Sequence, residues 1–353
     1  MNHKILVVGD FYFDMYEEAF YQEFLKLYPL TDKFRIADYL DIRKRGLPGF
    51  IDRFQYKFNI GLSVSRLNAA IMRKIEMFKP DLVFVYRGKH IFPKLLKNIK
   101  DIFPEIKLFN YNNDDAFSKA YPFYFWRLFL KGITYYDHIF CYRSKNIEDL
   151  RRIGYTATSL LLPYYIEGRN FEINCEKVID VVFVGHFEND GRDEYIVHLI
   201  NNDIKIKLFG TSWAKSKHYA YIQQKLGPID RLDTLNYNLI LNQSKIGLVF
   251  LSKINNDGYT RRCFEIPMTN CMMLAERTED LSAIFKENGS ISFFDNKEDM
   301  VLKIKWLLKN PAQMAEISYN AKVLVKDNFE VQNCIKKVVK VYLQTTKQNE
   351  CSR

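Results

Sequence analysis

Between Asn255 and Pro267 the chain reads NNDGYTRRCFEIP, shortly after the apolar, strand-like run IGLVFL (Ile246–Leu251). Asp257 and Glu265 stand eight apart, and Arg262 precedes Glu265 by three. If the second half of the segment is helical, Arg262 and Glu265 share a face. Gly258 and Thr260 belong to the turn, and Pro267 is acceptable in a first helical turn. A carboxylate there can accept both hydroxyls of a ribose. An arginine or a set of backbone N–H groups beside it can hold a diphosphate. The same residues also describe an ordinary helix start, whose i, i−3 ion pair contributes little on a surface.

A second stretch, GHFENDGRDEYI, places Gly185 at the end of an apolar run and Arg192 at a helix start after a polar loop. A helix N-terminus offers N–H groups to an anion, and an arginine adds a forked donor; a plain surface arginine is the alternative. Neither Gly9-Asp10 nor Gly185-His186 lies in a Gly-x-Gly-x-x-Gly run, which argues against a dehydrogenase. The six cysteines have no Cys-x-x-Cys spacing, the six histidines are dispersed, and there is no Asp-x-Asp. No metal site is expected.

The elements that would position these residues alternate. KILVVGD, DLVFVYRG, IKLFNYNNDD and HIFCYRS read as strands separated by amphipathic helical stretches. From about residue 178 a second series begins with VIDVVFVGHF and continues through IKIKLFG, IGLVFLS, CMMLAE and SISFFDN. This rhythm describes parallel sheets covered on both faces. The chain of 353 residues is long enough for two domains. They are expected at 1–172 and 173–353, with the polar segment 163–177 as linker and the last helix packing back on the first domain. Residues 345–353 read as a disordered tail. The N-terminal apolar run is too short for a signal peptide, and no stretch would span a bilayer, so a cytoplasmic location is expected.

The net charge of +10 is concentrated. Residues 43–100 carry 14 Lys+Arg against 3 Asp+Glu, a balance of +11. Within them Phe50, Phe54 and Phe58 recur at helical spacing beside Arg53 and Lys57. Such a stripe suits an anionic membrane surface, possible as a peripheral contact on the inner membrane face. A stripe packed against the core of the domain explains the same spacing. No nucleic-acid-binding signature accompanies the charge.

The second half resembles the CgeB-like glycosyltransferases, which have the GT-B fold and a group 1 type C-terminal domain. The resemblance rests on DVVFVGHFENDGRDE, IKLFGTSW, the long segment from SKIGLVFLS to SISFF, and EDMVLKIKWLLKNP, with KPDLVFVYRG and YNNDDAF in the first half. Its core is Asn-x-Asp-x-x-Thr-x-Arg-x-Phe-Glu-Ile-Pro, complete from Asn255 to Pro267. Two departures are visible: Asp257 stands where relatives often have Glu, and Met268-Thr269-Asn270 stands where they often have Ala-x-Gly.

The resemblance implies an α/β GT-B fold, two doubly wound Rossmann-like domains facing across a cleft. It implies transfer of a sugar from a nucleotide-diphosphate donor, UDP-sugar favoured, with no cofactor required. Glu265 would hold the donor ribose, Arg192 and Arg262 the diphosphate, with Thr260 and Gly185 beside it and Asp257 near the sugar. The first domain would bind a glycan or lipid-linked acceptor of surface polysaccharide synthesis. There Asp114 or Asp115 could remove the acceptor proton, or the pair could simply cap a helix. An epimerase, a hydrolase or a non-catalytic sugar-binding module would share the fold.

Overall fold

The structure, a computed structural model, describes residues 3–351, and side chains as far as residue 346. It divides into two compact units. The first contains the chain up to Leu162 and returns with the chain from Val331 on; the second is Pro163–Glu330.

Unit 1 is built on six parallel strands: β1 (Ile5–Gly9), β2 (Thr31–Arg35), β3 (Leu82–Tyr86), β4 (Lys107–Asn112), β5 (His138–Cys141) and β6 (Thr158–Leu160). Their spatial order is β2-β1-β3-β4-β5-β6. Strands β1, β3, β4 and β5 are buried at every position, as a sheet covered on both faces requires. β2 lies at an edge and buries only Thr31 and Phe34, so TDKFR carries little strand signal in sequence. Val8, Val85 and Leu108 of the sheet pack with Leu67, Ile71 and Leu96 of the helices Leu62–Phe78 and Pro93–Ile102.

Unit 2 has five parallel strands: β7 (Ile179–Val184), β8 (Ile206–Phe209), β9 (Ser244–Val249), β10 (Met272–Glu276) and β11 (Ser292–Phe294). Their order is β11-β10-β9-β7-β8. Val181, Phe183, Leu248 and Leu274 meet Ile196 and Ile304 in its core. Residues 163–172, expected in the first domain, are tied here. Tyr165 N–H donates to the Phe329 carbonyl at 2.9 Å, and Asn238 and Asn242 both donate to the Phe171 carbonyl at 3.0 Å.

Each sheet reverses its strand order once, between β1 and β3 and between β7 and β9. At such a point successive crossovers leave to opposite sides, and the loops at the carboxyl ends open a crevice.

Two sequence expectations change. The tail expected to be disordered is helical: the helix Val331–Cys351 includes it, and residues 352–353 lie outside the described residues. The helix is anchored by Ile335, Val338 and Tyr342, all buried in unit 1. Tyr342 Oη lies 3.1 Å from His3 Nδ1, and its ring lies edge-on to Phe109. The apolar stripe of the helix Gly46–Phe58 does not face the core either. That helix buries Gly49, Asp52 and Gln55 instead, and leaves Leu47, Phe50, Ile51 and Phe54 exposed. Among the described residues no helix is long and apolar enough to cross a membrane.

Burial sorts the expected stability effects. Ile335→Ala should cost about 2–5 kcal/mol, whereas Leu47→Ala should stay within about 0.5 kcal/mol. Urea unfolding of the two variants checks both.

Candidate functional site

In unit 2 the loops after β7 and β9 meet at the reversal point. Glu188, in the loop after β7, accepts from Ser252 Oγ at 2.7 Å, in the loop after β9. Its other oxygen lies 2.8 Å from His186 Nε2. Burial works to raise the Glu188 pKa, but the His186 and Ser252 hydrogen bonds and the Arg192 charge outweigh it and bring it down to about 2. The carboxylate therefore stays ionised and links the two loops.

Arg192 opens the helix Arg192–Asn201, as expected, but its guanidinium is buried and turned into its own loop. Nε and Nη2 donate to Asp190 at 2.8 and 2.6 Å, and Nη1 donates to the His186 carbonyl at 2.8 Å. This bidentate pair shapes the loop.

The sequence NNDGYTRRCFEIP folds as a loop followed by the short helix Arg262–Glu265 and a single turn at Pro267–Thr269. Asp257 is half-buried in the loop, and its N–H donates to the Ser252 carbonyl at 2.9 Å. The Thr260 carbonyl accepts from Cys263 N–H at 3.0 Å and starts the helix. Glu265 is buried and pairs with Arg261, not with Arg262 as the spacing suggested. Arg261 Nε and Nη2 reach Glu265 Oε1 at 3.1 and 2.7 Å, and Tyr237 Oη donates to Oε2 at 2.9 Å. Both i+3 and i+4 are helical neighbours; here Arg261 lies over the Tyr164 ring, on the inner side. Burial pushes the Glu265 pKa up, but Arg261 and Tyr237 more than offset it and hold it below the ordinary value. Three donors leave the carboxylate room for a further hydrogen bond on Oε2.

Arg262 is different. It is half-buried, and among the described residues its side chain forms no hydrogen bond or ion pair. It lies 5.9 Å from the centre of the Phe183 ring. A Cβ on Gly185 would fall 3.0 Å from Arg262 Nη2 and 2.6 Å from the Phe183 ring, so only glycine leaves this space open. Gly210, at φ +142, is needed for the same approach: its Cβ would meet the Gly185 carbonyl oxygen at 2.0 Å.

In unit 1 the reversal point holds a second charged cluster. Arg87 follows β3 with φ +64, a conformation that a bulky residue rarely adopts. It is fixed by its own N–H to the Tyr111 carbonyl at 2.8 Å, while buried Asn110 donates to the Val85 and Arg87 carbonyls at 3.1 and 3.3 Å. Its guanidinium reaches Asp114 at 2.6 Å and Asp10, after β1, at 3.8 Å. Tyr56 Oη donates to Asp10 Oδ2 at 3.2 Å, and buried Asp10 Oδ1 has no hydrogen-bond partner among the described residues. Burial raises the Asp10 pKa against the lowering effects of Arg87 and Tyr56. Glu17, buried beneath Gly9, is pushed up to about 7 by burial and by Asp10. Lys89 is brought down to about 7 by burial and by Arg87, and lies 3.6 Å from the Phe125 ring centre.

The adjacent acids expected here separate. Asp114 joins Arg87, whereas Asp115 is fully buried and caps: its Oδ1 accepts from Phe117 N–H at 2.9 Å and Asn146 Nδ2 at 2.7 Å. Sequence reasoning missed Arg87, Glu17, Lys89, Tyr237 and Arg261. Arg87 alone had a local signal, the break in pattern at the end of β3; the others are recruited from distant segments or were indistinguishable from a neighbour. Among the described residues no group of three or more His, Cys, Asp and Glu is placed to hold a metal ion.

Comparison with known proteins places the architecture. A family model described as "Glycosyl transferase-like" matches residues 192–340. No curated protein sequence matches the chain. Among solved structures, sucrose-phosphate synthase from Thermosynechococcus elongatus is similar at a TM-score of 0.73 and 11% identity, over 98% of this chain and 100% of that one. HepE from Anabaena in complex with UDP-glucose is similar at 0.67 and 11%, over 99% and 100%. A putative UDP-N-acetylglucosamine 2-epimerase from Listeria monocytogenes is similar at 0.60 and 14%, over 99% and 98%. The chain has the GT-B fold. At these identities the likeness extends to the fold, and function must be argued from the residues.

Glu17 gives the unit 1 cluster a pH signature. Its folded pKa of about 7 lies above the ordinary 4.5, so its stabilising effect is complete below pH 4.5 and is lost as pH rises through 7. Glu17→Gln should therefore be more stable than wild type at pH 8, on the order of 2–3 kcal/mol, and should lose that advantage at pH 4. Denaturant melts of both proteins across this range check it.

Proposed function

We propose that the protein is a glycosyltransferase of the CgeB-like kind, moving a sugar from a nucleotide-diphosphate donor to a hydroxyl of a glycan or lipid-linked acceptor in surface polysaccharide or lipopolysaccharide synthesis. The observation that carries this reading is Arg262: an uncommitted, half-buried guanidinium over a glycine, at the strand reversal of unit 2. Arg192 and Arg261 are both neutralised by their own carboxylates. Only Arg262 of the three keeps its charge for an incoming group.

In this reading unit 2 binds the donor. Glu265, ionised and held by Arg261 and Tyr237, accepts a ribose hydroxyl. The diphosphate lies against Gly185 and Arg262, with Thr260 beside it, while Arg192 keeps the loop after β7 in shape. Asp257 lies toward the sugar. UDP is the favoured nucleotide; the similar HepE structure is a UDP-glucose complex. Unit 1 binds the acceptor. A carboxylate of its Arg87 cluster, Asp114 or its neighbour Asp10, takes the proton from the acceptor hydroxyl. The new bond forms from that oxygen to the anomeric carbon, the bond from the anomeric carbon to the phosphate oxygen breaks, and the nucleoside diphosphate leaves. Charge grows on the leaving phosphate oxygen in the transition state, and Arg262 stabilises it there.

An epimerase on the same fold is the second reading, favoured by the likeness to the putative 2-epimerase. It needs no acceptor, so turnover of a nucleotide sugar alone would select it.

Thermal-shift screening against UDP-, GDP-, dTDP- and CMP-sugars should show stabilisation by one class, since a bound ligand stabilises by RT ln(1 + [L]/Kd); a flat response to every nucleotide sugar would refute the reading. With the donor found, Arg262→Ala should lower kcat by about 10²–10³ with little change in melting temperature. Glu265→Gln should weaken donor binding about tenfold or more in calorimetry.

A further inference from the structure

The helix Gly46–Phe58 is amphipathic with its faces reversed. Its inner face is polar. Asp52, 8% exposed, lies 3.5 Å from Lys44 Nζ and accepts from Ser63 Oγ at 3.4 Å. Gln55 exchanges two hydrogen bonds with Ser63, at 2.8 and 3.1 Å. Asn59, at the helix end, donates to the Phe125 carbonyl at 2.9 Å. Gly49 is buried where a Cβ would overlap the Lys44 carbonyl at 1.9 Å. The helix is thus fastened to unit 1 by side-chain hydrogen bonds and a close backbone approach.

Its outer face is apolar. Leu47, Phe50, Ile51 and Phe54 fall at i, i+3, i+4 and i+7, and Leu47 and Phe50 are 70% and 61% exposed. The face continues through rings in contact, tilted or edge-on to one another: Phe54 to Phe58 at 4.7 Å between centres, Phe58 to Tyr124 at 4.9 Å, and Tyr124 to Phe123, itself 85% exposed, at 5.6 Å. Around it stand Arg43, Arg45, Arg53 and Lys57, all exposed. The one acid between residues 43 and 66 is Asp52, which points inward. Exposed apolar patches rimmed by polar residues mark interaction sites, and this helix does not use its patch for folding.

Charge selects the occupant. An isologous contact with a second copy would set cations against cations. A phosphate backbone makes no use of Leu47 or Ile51. An apolar stripe rimmed by basic residues matches the boundary between anionic headgroups and acyl chains. We propose that this face of unit 1 docks on an anionic lipid bilayer, with the Phe50–Phe54 stripe inserted and the flanking arginines and lysines on the headgroups. The proposal stands independently of sugar transfer.

The test is sedimentation of the full chain with vesicles of phosphatidylcholine alone, or of phosphatidylcholine with phosphatidylglycerol, at low and high salt. Each basic residue near an anionic surface strengthens binding about fivefold, so the anionic vesicles should bind at least about tenfold more tightly, and salt should weaken that binding. The double variant Phe50→Glu, Phe54→Glu should lose binding while its circular dichroism and nucleotide-sugar thermal shift stay unchanged. Arg45→Gln with Lys57→Gln should weaken binding by on the order of tenfold and flatten its salt dependence. Equal binding to both vesicle types would overturn the proposal, as would wild-type sedimentation of the Phe50→Glu, Phe54→Glu variant. So would a lipid-free dimer, seen by light scattering, that the same variant dissolves.

Discussion

Two parallel strands cannot be joined by a tight turn; each connection must carry the chain back along the full length of the sheet. The architecture of both units depends on that constraint. The return is made by helices, which cover both faces and favour apolar residues in the central strands. The carboxyl ends of the strands are then the places where loops can differ freely. Where the winding reverses, two such loops diverge to opposite sides and leave polar side chains facing a gap. Both units follow this plan, and both gather their charge at the reversal: Arg262, Arg192 and Glu188 in one, Arg87, Asp10 and Asp114 in the other.

The central strands were legible in sequence where burial on both faces leaves an apolar run. β1 and β3 could hardly be missed, and β2, partly exposed at an edge, carried no such run. The placement of the unusual segment at Asn255–Pro267 was equally legible, since it follows an apolar strand. The pairing inside it was not. Arg261 and Arg262 are consecutive, and either can reach Glu265 on a helix; tertiary neighbours, Tyr164 on one side and Gly185 with Phe183 on the other, decide which is neutralised and which remains available. Asp114 and Asp115 repeat the lesson. Adjacent residues point in different directions, so one joins Arg87 and the other caps a turn.

The basic helix shows the same limit at a larger scale. Periodicity identifies an apolar stripe but is indifferent to which side of the helix meets the protein. Hydrogen-bonding side chains at Asp52, Gln55 and Asn59 settle the matter, because each finds partners in unit 1 that an apolar face could not supply. The same helix carries Tyr56, whose hydroxyl bonds Asp10, so the outward-facing stripe and the buried acid cluster share one rigid element.

The helix Val331–Cys351 has a consequence for how the molecule is made. Unit 2 is one uninterrupted stretch of chain, whereas unit 1 lacks part of its core until Ile335, Val338 and Tyr342 arrive. During synthesis the N-terminal sheet emerges first yet waits for the helix Val331–Cys351 to leave the ribosome, with the surface beneath Tyr342, including Phe109, uncovered in the meantime. Order of emergence and order of completion are therefore opposite in this chain, and the unit begun first is the one finished last.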